Sequence, residues 1–157
     1  MHSVTYSTDL GPITLEADGH GLTSVILPKS SPRRLKAGKV LSNNAILREA
    51  AKQINEYLLG KRTVFAVPLT IIGTEFQKKV WQVIMNIPYG QTLSYGDIAR
   101  QLGSSAKARA VGGAAHANRL PLVIPCHRVI GADGSLTGFG SGLALKKKLL
   151  DLEAMSR

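Results

Sequence analysis

The chain has 157 residues, 44% hydrophobic and 19% charged, a composition typical of a soluble globular protein that buries its own core. Its single cysteine excludes an internal disulfide framework and any zinc site with two thiolates, and no apolar run is long enough for a membrane helix. The formal net charge of +10 favours a polyanionic partner, nucleic acid before membrane, although a solubilising excess of lysine accounts for it equally well.

The first predicted domain, residues 1–72, is an α/β scaffold without evident chemistry. Residues 1–28 show short apolar alternations separated by glycine-containing turns, which predict a β-meander. Residues 28–42 are rich in Pro, Ser, Lys and Arg and are predicted to form an exposed loop. Residues 65–72 are predicted to form another extended segment. Between the loop and this segment, apolar residues four apart predict a helix: Ile46, Ala50, Ile54 and Leu58.

The second predicted domain, residues 73–157, has a helical pattern. Its first helix places an apolar set on one face: Phe76, Val80, Val83 and Ile84. Ser94 and Asp97 then have the spacing of a capping box, and Gly103 ends the short helix that follows. Ser104 is a good N-cap for a second helix over about 105–116. Two short helices joined by a tight turn indicate a helix-turn-helix.

The second of these helices contains adjacent glycines, Gly112 and Gly113, each of which costs about 1 kcal/mol against alanine in a helix. Tight packing inside the protein would explain them, and so would a helix pressed against DNA with Arg109 as its reaching side chain. Charge favours DNA, because the stretch from Ile98 to Ala132 has no acidic residue and five basic ones. These are Arg100, Lys107, Arg109, Arg119 and Arg128.

The only cysteine, Cys126, is predicted to lie at or just past the end of a strand. A lone cysteine with apolar neighbours is usually inert. Against this, His127 is adjacent, and Arg128 with its basic surroundings favours thiolate over thiol. Successive side chains of a strand point to opposite faces, so proton transfer between the two neighbours needs a local turn or a bridging water.

The last predicted helix has its leucines on one half of the helical wheel, and Glu153 and Lys146 fall within that half. A carboxylate on an apolar face needs a partner. Two interpretations are equally supported: a structural pair of Glu153 with Lys146 or an arginine, or Glu153 orienting His127 in a Cys–His–Glu arrangement.

The segment IPCHRVIG, preceded by ARAVGGA and Asn118 and followed by GSLTGFGSG and LLDLE, closely resembles the O6-alkylguanine-DNA alkyltransferases, also called methylated-DNA–protein-cysteine methyltransferases. The resemblance covers roughly residues 73–154. We therefore predict an α+β protein with a small N-terminal antiparallel sheet and a helix. A mainly helical C-terminal domain with a (winged) helix-turn-helix follows them.

The resemblance also implies roles for the catalytic residues. Cys126 is the alkyl acceptor, His127 acts as a base through a water molecule, and Glu153 orients the imidazole. Asn118 matches a hinge that holds the helix-turn-helix against the cysteine loop. Tyr95 matches a tyrosine whose hydroxyl meets the flipped guanine.

For DNA, the resemblance implies that the second helix enters the minor groove, where small residues permit close backbone approach. Arg109 matches an arginine finger that fills the gap left by the flipped base. The residues predicted to face DNA are Tyr95, Gly96, Ser104, Lys107, Arg109, Gly112, Gly113 and Arg128.

The resemblance places the substrate pocket beside the cysteine loop. The carbonyl of Val129 accepts from the guanine amine, and residues 135–141 cover the alkyl group. Phe139 stands where many members have tyrosine, and Gly140, where some have serine, still offers a backbone N–H toward O6. Ser141 completes the predicted pocket.

The activity thus implied is single-turnover transfer of the alkyl group from O6-alkylguanine in duplex DNA to Cys126, without a cofactor or metal. O4-alkylthymine remains an open second substrate. We expect a monomer without membrane contact, located in the cytoplasm, and with the nucleoid if the source is prokaryotic. The alternatives are a non-catalytic binder of alkylated DNA, a DNA-binding regulator and a cysteine hydrolase.

Overall fold

The computed structural model describes residues 1–28, 42–136 and 142–155. The chain divides into two compact units, Met1–Ile71 and Ile72–Arg157. Among the described helices, none combines the length and apolar character needed to cross a bilayer. The loop predicted over 28–42 lies almost wholly outside the described residues.

The first unit contains the predicted β-meander. Strands β1 (His2–Thr8), β2 (Gly11–Ala17) and β3 (Leu22–Ile26) pair antiparallel in chain order. Because side chains alternate along each strand, one face of the sheet carries a buried apolar set. Its members include Val4, Tyr6, Ile13, Leu15 and Ala17.

Helix α1 (Ala45–Leu58) packs against this sheet and begins at Asn44, whose side chain accepts from the Leu47 amide at 3.0 Å. The helix was predicted, but its buried face is offset from the predicted one, since Ile46 and Leu58 are only half-buried. Residues four apart drift about 40° per step around a helix of 3.6 residues per turn, so a stripe alternates steps of three and four. The observed stripe is Leu47, Ala50, Ala51, Ile54 and Tyr57.

The extended run after α1 passes close to the start of β3. Leu22 donates to the Pro68 carbonyl at 2.8 Å and accepts from the Thr70 amide at 2.9 Å. A Cβ added at Gly21 would lie 2.7 Å from the Leu69 carbonyl carbon, which is a steric clash. The clashing atom belongs to the backbone, so it cannot rotate away as the end of a side chain can.

Gly21→Ala is therefore expected to destabilise the protein by about 1–3 kcal/mol, the usual range for an overpacked site. Urea unfolding measures the change. Gly19→Ala is the matched control, because a Cβ at Gly19 meets nothing within 4 Å. Equal midpoints for the two variants would contradict the close approach.

The second unit is mainly helical. Its elements in chain order are α2 (Glu75–Met85), β4 (Leu93–Ser94), α3 (Tyr95–Gln101), a 3₁₀ helix (Ser105–Lys107), α4 (Ala108–His116), a second 3₁₀ helix (Cys126–Arg128), β5 (Val129–Ile130) and α5 (Leu143–Met155). The two short strands pair in parallel. The indole N–H of Trp81 donates to the Ala114 carbonyl at 2.8 Å and fixes α2 against α4.

The start of α3 is as predicted, with both hydrogen bonds of the Ser94–Asp97 capping box present. Gly103 follows the helix with φ of 100° and lets the chain turn. The cap predicted at Ser104 is not formed by its side chain. Instead its carbonyl accepts from the Lys107 amide at 3.1 Å, so a 3₁₀ turn precedes α4, which begins at Ala108.

Candidate active site

The cysteine lies on a tight turn, as the bend expected at Pro125 implies, but no strand precedes it in residues 121–125. The Ile124 amide donates to the Leu120 carbonyl at 2.8 Å, and the Arg128 amide donates to the Pro125 carbonyl at 2.9 Å. These bonds curl the chain before Cys126 and begin the 3₁₀ helix Cys126–Arg128. Side chains of a 3₁₀ helix are spaced about 120° apart, so Cys126 and His127 are not forced onto opposite faces.

Asn118 links the end of α4 to this turn. Its Nδ2 donates to the Ile124 carbonyl at 2.9 Å, and its Oδ1 accepts from the Leu120 amide at 2.8 Å. One amide group thus holds the backbone of the segment that leads into Cys126.

Behind the cysteine, His127, Arg128 and Glu153 form a buried cluster. His127 Nε2 lies 2.6 Å from Glu153 Oε2. Arg128 donates from Nε to Oε1 at 2.9 Å and from Nη2 to Oε2 at 3.0 Å. The side chains of His127 and Glu153 are 0% and 1% exposed, so the cluster is closed to bulk water. The two sequence interpretations of Glu153 are realised together, with Arg128 as the arginine.

The predicted contact of Arg128 with DNA is wrong. Its side chain is 6% exposed, and besides Glu153 it donates from Nη1 to the Ile87 carbonyl at 2.7 Å. The guanidinium carbon also lies 5.6 Å from the ring centroid of Tyr89. A guanidinium held on these sides cannot reach a phosphate.

Lys146 is a site residue that the sequence reasoning did not assign to the thiol. It is fully buried, and its Nζ donates to the Val129 carbonyl at 2.5 Å. Burial lowers the pKa of Lys146, and a Cys126 thiolate would raise it. The signal in the sequence is a lysine on the apolar half of α5, which predicts a buried ammonium group but does not place it near the thiol.

Burial is the main influence on the protonation states of Cys126 and His127. Burial raises the pKa of Cys126, although the Asn118 hydrogen bond and the charge of Lys146 lower it. Burial also lowers the pKa of His127, against the effect of Glu153. The resting state at neutral pH is therefore a thiol beside a neutral imidazole, and not the thiolate expected from basic surroundings. The thiol proton must leave when the cysteine reacts.

The glycines of α4 are not explained by packing within the described residues. A Cβ at Gly113 would meet nothing within 4 Å, and one at Gly112 would contact only the Tyr95 ring, at an ordinary 3.9 Å. Arg109 and Lys107 are exposed, and Lys107 Nζ lies 5.9 Å from the centroid of the Phe76 ring.

The remaining predicted residues are divided between described and undescribed parts. Gly96, Ser104 and Tyr95 are half-buried at or near the ends of α3. The predicted pocket residues Phe139, Gly140 and Ser141 lie outside the described residues. In the ranges that the structure covers, no three His, Cys, Asp or Glu side chains are grouped so as to hold a metal ion.

Comparison with known proteins matches both parts of the chain. The family model described as the DNA binding domain of 6-O-methylguanine DNA methyltransferase matches residues 75–155, and that of its ribonuclease-like domain matches residues 1–71. A methylated-DNA–protein-cysteine methyltransferase of Mycobacterium leprae is 42% identical over 98% of this chain and 92% of its own length. One from Methanosarcina acetivorans is also 42% identical, over 98% of each chain.

A solved structure of a similar protein has the same fold over nearly the whole chain. The crystal structure of Mycobacterium tuberculosis OGT in complex with DNA superposes with a TM-score of 0.87. It is 40% identical to this chain, and the match covers 99% of this chain and 94% of that one.

Proposed function

The chain belongs to the family of methylated-DNA–protein-cysteine methyltransferases, and from this premise we propose that it repairs duplex DNA by moving the alkyl group of O6-alkylguanine onto Cys126. One observation carries the assignment of residues. The only cysteine of the chain begins a turn whose next residue, His127, is hydrogen-bonded to buried Glu153 at 2.6 Å. A neutral imidazole fixed in this way is suited to accept the thiol proton.

The reaction follows from these positions. The O6-alkyl carbon lies within the base stack, so the guanine is flipped out of the duplex. The thiol proton passes through a water molecule to His127, and Lys146 stabilises the thiolate that forms. The sulfur then attacks the saturated alkyl carbon, and the carbon–O6 bond breaks with its electron pair on guanine. Tyr95 or a water molecule returns a proton to the base.

The product is S-alkylcysteine, a thioether and hence a poor leaving group. The chain has no second cysteine to displace it. Each molecule therefore reacts once and needs no cofactor, and the protein is consumed as a reagent. Guanine is the proposed substrate base, with O4-alkylthymine as an alternative to be tested beside it.

We assign DNA binding to α3, the following turn and α4, acting as a helix-turn-helix. The exposed, glycine-containing face of α4 suits the minor groove, which is only about 6 Å wide, because small residues let the helix backbone approach closely. Arg109 reaches into the stack, and Lys107 meets phosphates, so binding is salt-dependent and largely independent of sequence. We propose that the protein acts as a monomer in the compartment that holds DNA, with residues 1–72 as a scaffold and 73–157 as the functional domain.

The test is intact-protein mass spectrometry after incubation with a duplex that carries one O6-methylguanine. We expect a gain of one methyl group, mapped to Cys126 and saturating at one per protein. An unchanged mass with the duplex still bound would instead identify a lesion binder or a regulator. Repeated turnover of an ester or amide would identify a hydrolase.

Gly113→Leu should separate folding from DNA binding. The helix gains up to about 1 kcal/mol, because leucine replaces glycine at a position where an added Cβ meets nothing within 4 Å. Affinity for duplex DNA falls by about tenfold or more, equivalent to about 1.4 kcal/mol, since the side chain keeps the backbone away from the groove. Thermal unfolding and fluorescence anisotropy measure the two effects. Unchanged DNA affinity would mean that this face of α4 does not contact the duplex.

Arg109→Ala should slow repair in duplex DNA by about 10–100-fold, because flipping a base costs a few kcal/mol that the inserted side chain offsets. Reaction with free O6-benzylguanine needs no flipping and should keep its rate. Single-turnover kinetics on both substrates compare the two. Equal losses on both would rule out the finger.

A further inference from the structure

We infer that Arg128 is a positioning residue for alkyl transfer: together with the turn Pro88–Gly90 it fixes the Glu153 carboxylate that orients His127. The inference rests on the proposed function and adds to it a residue that does not touch the substrate. Arg128 was predicted to contact DNA, but its burial against Glu153, the Ile87 carbonyl and the Tyr89 ring excludes that role.

At least four donor atoms of the described residues surround the Glu153 carboxylate. Oε1 accepts from Arg128 Nε at 2.9 Å and from the Gly90 amide at 3.0 Å. Oε2 accepts from Arg128 Nη2 at 3.0 Å and lies 2.6 Å from His127 Nε2. An ionised carboxylate offers about four acceptor sites. The parallel bonds of the guanidinium fork fix the plane of the carboxylate and leave one defined position for the imidazole.

The turn after α2 hydrogen-bonds both members of this ion pair, accepting from Arg128 and donating to Glu153. Arg128 Nη1 donates to the Ile87 carbonyl at 2.7 Å, and the Gly90 amide donates to Glu153. Gly90 has φ of 79°, a left-handed conformation that glycine adopts without strain. The guanidinium also faces the Tyr89 ring. Arg128 is thereby held by the main chain as well as by its counter-ion.

This arrangement sets the tautomer of His127. A carboxylate paired with Arg128 remains ionised and can only accept, so Nε2 carries the imidazole proton and Nδ1 is left as the basic nitrogen. The charged groups that act on His127 are Glu153, Arg128 and Lys146. The two cations both oppose a charge on the imidazole, so the neutral base is kept ready for the thiol proton.

The experiment compares Arg128→Lys with Arg62→Lys. Lysine retains the charge but loses the fork, so the carboxylate is free to rotate. Arg62, which belongs to the first unit, is a matched control. Its Nε also donates to a glutamate, Glu56, at 3.1 Å, and its Nη1 donates to the Val64 carbonyl at 2.9 Å. We expect Arg128→Lys to react with free O6-benzylguanine about 10–100-fold more slowly, a part of the 10²–10⁴ that general base catalysis supplies. Arg62→Lys should react at the parent rate.

A readout that a purely structural role would not change is the ¹⁵N NMR signature of the His127 ring. The parent protein should show a protonated Nε2 and an unprotonated Nδ1, and Arg128→Lys should show mixed tautomers. An unaltered signature and rate in Arg128→Lys, with only a lower melting temperature, would overturn the inference. So would Nδ1–H in the parent, a result that needs no variant to fold. Neither NMR result depends on alkyl transfer, so failure of the proposed function would be seen separately in the mass measurement.

Discussion

Cys126→Ser is expected to abolish alkyl transfer and to leave the fold in place. Oxygen replaces sulfur with little change in volume, so the turn held by Asn118 should form as before. A hydroxyl is a far weaker acid than a thiol, and burial already raises the pKa of Cys126. A neutral imidazole whose own pKa is lowered by burial cannot deprotonate it at a useful rate.

The expected mass gain with a methylated duplex is therefore zero, against one methyl group in the parent protein. Anisotropy with the same duplex should show that Cys126→Ser still binds, because the cysteine contributes nothing to the exposed face of α4. The mass measurement separates the proposed function from a regulator, for which the two proteins would behave alike. Methyl transfer retained in Cys126→Ser would contradict the assignment of the acceptor.

Features set by neighbouring residues could be predicted from the sequence. The spacing of Ser94 and Asp97 is enough for a capping box, because both hydrogen bonds close within one turn of helix. Gly103 ends α3 since it takes up a φ of 100°. The meander of β1, β2 and β3 follows from alternation and turn residues for the same reason. In each case the determining contacts lie within a few residues of one another.

Contacts between distant segments were predicted only as open alternatives, as for Glu153 with His127 or an arginine, or were not predicted at all. Arg128 donates to Glu153 at a separation of 25 residues and to Ile87 at 41 residues, and Gly90 donates to Glu153 at 63 residues. Nothing in the order of the residues distinguishes a buried arginine from one that faces DNA. The basic residues near the cysteine predicted a thiolate. Burial instead raises the pKa of Cys126 and outweighs the nearby positive charge, so the resting group is a thiol.

Glu153→Gln is expected to lower the free energy of unfolding by about 3–5 kcal/mol, the range found when one partner of a buried ion pair is removed. An amide nitrogen would face the donors of Arg128, His127 or Gly90, and the guanidinium charge would be left buried without a counter-ion. The melting temperature should fall by about 10 °C or more. Calorimetry measures it, and Glu56→Gln, at the half-exposed pair with Arg62, should change it little.

A double variant distinguishes stability from catalysis at the same position. Glu153→Met combined with Arg128→Met removes both charges, so only neutral groups of this ion pair's surroundings lose a partner. The double variant should therefore lose less free energy of unfolding than the two single variants together, by about 2–3 kcal/mol. The rate of alkyl transfer should not recover with it, because no carboxylate then accepts from His127 Nε2. Recovery of both together would mean that Glu153 acts only by holding the fold. Recovery of stability alone would place its catalytic effect in the 2.6 Å contact with the imidazole.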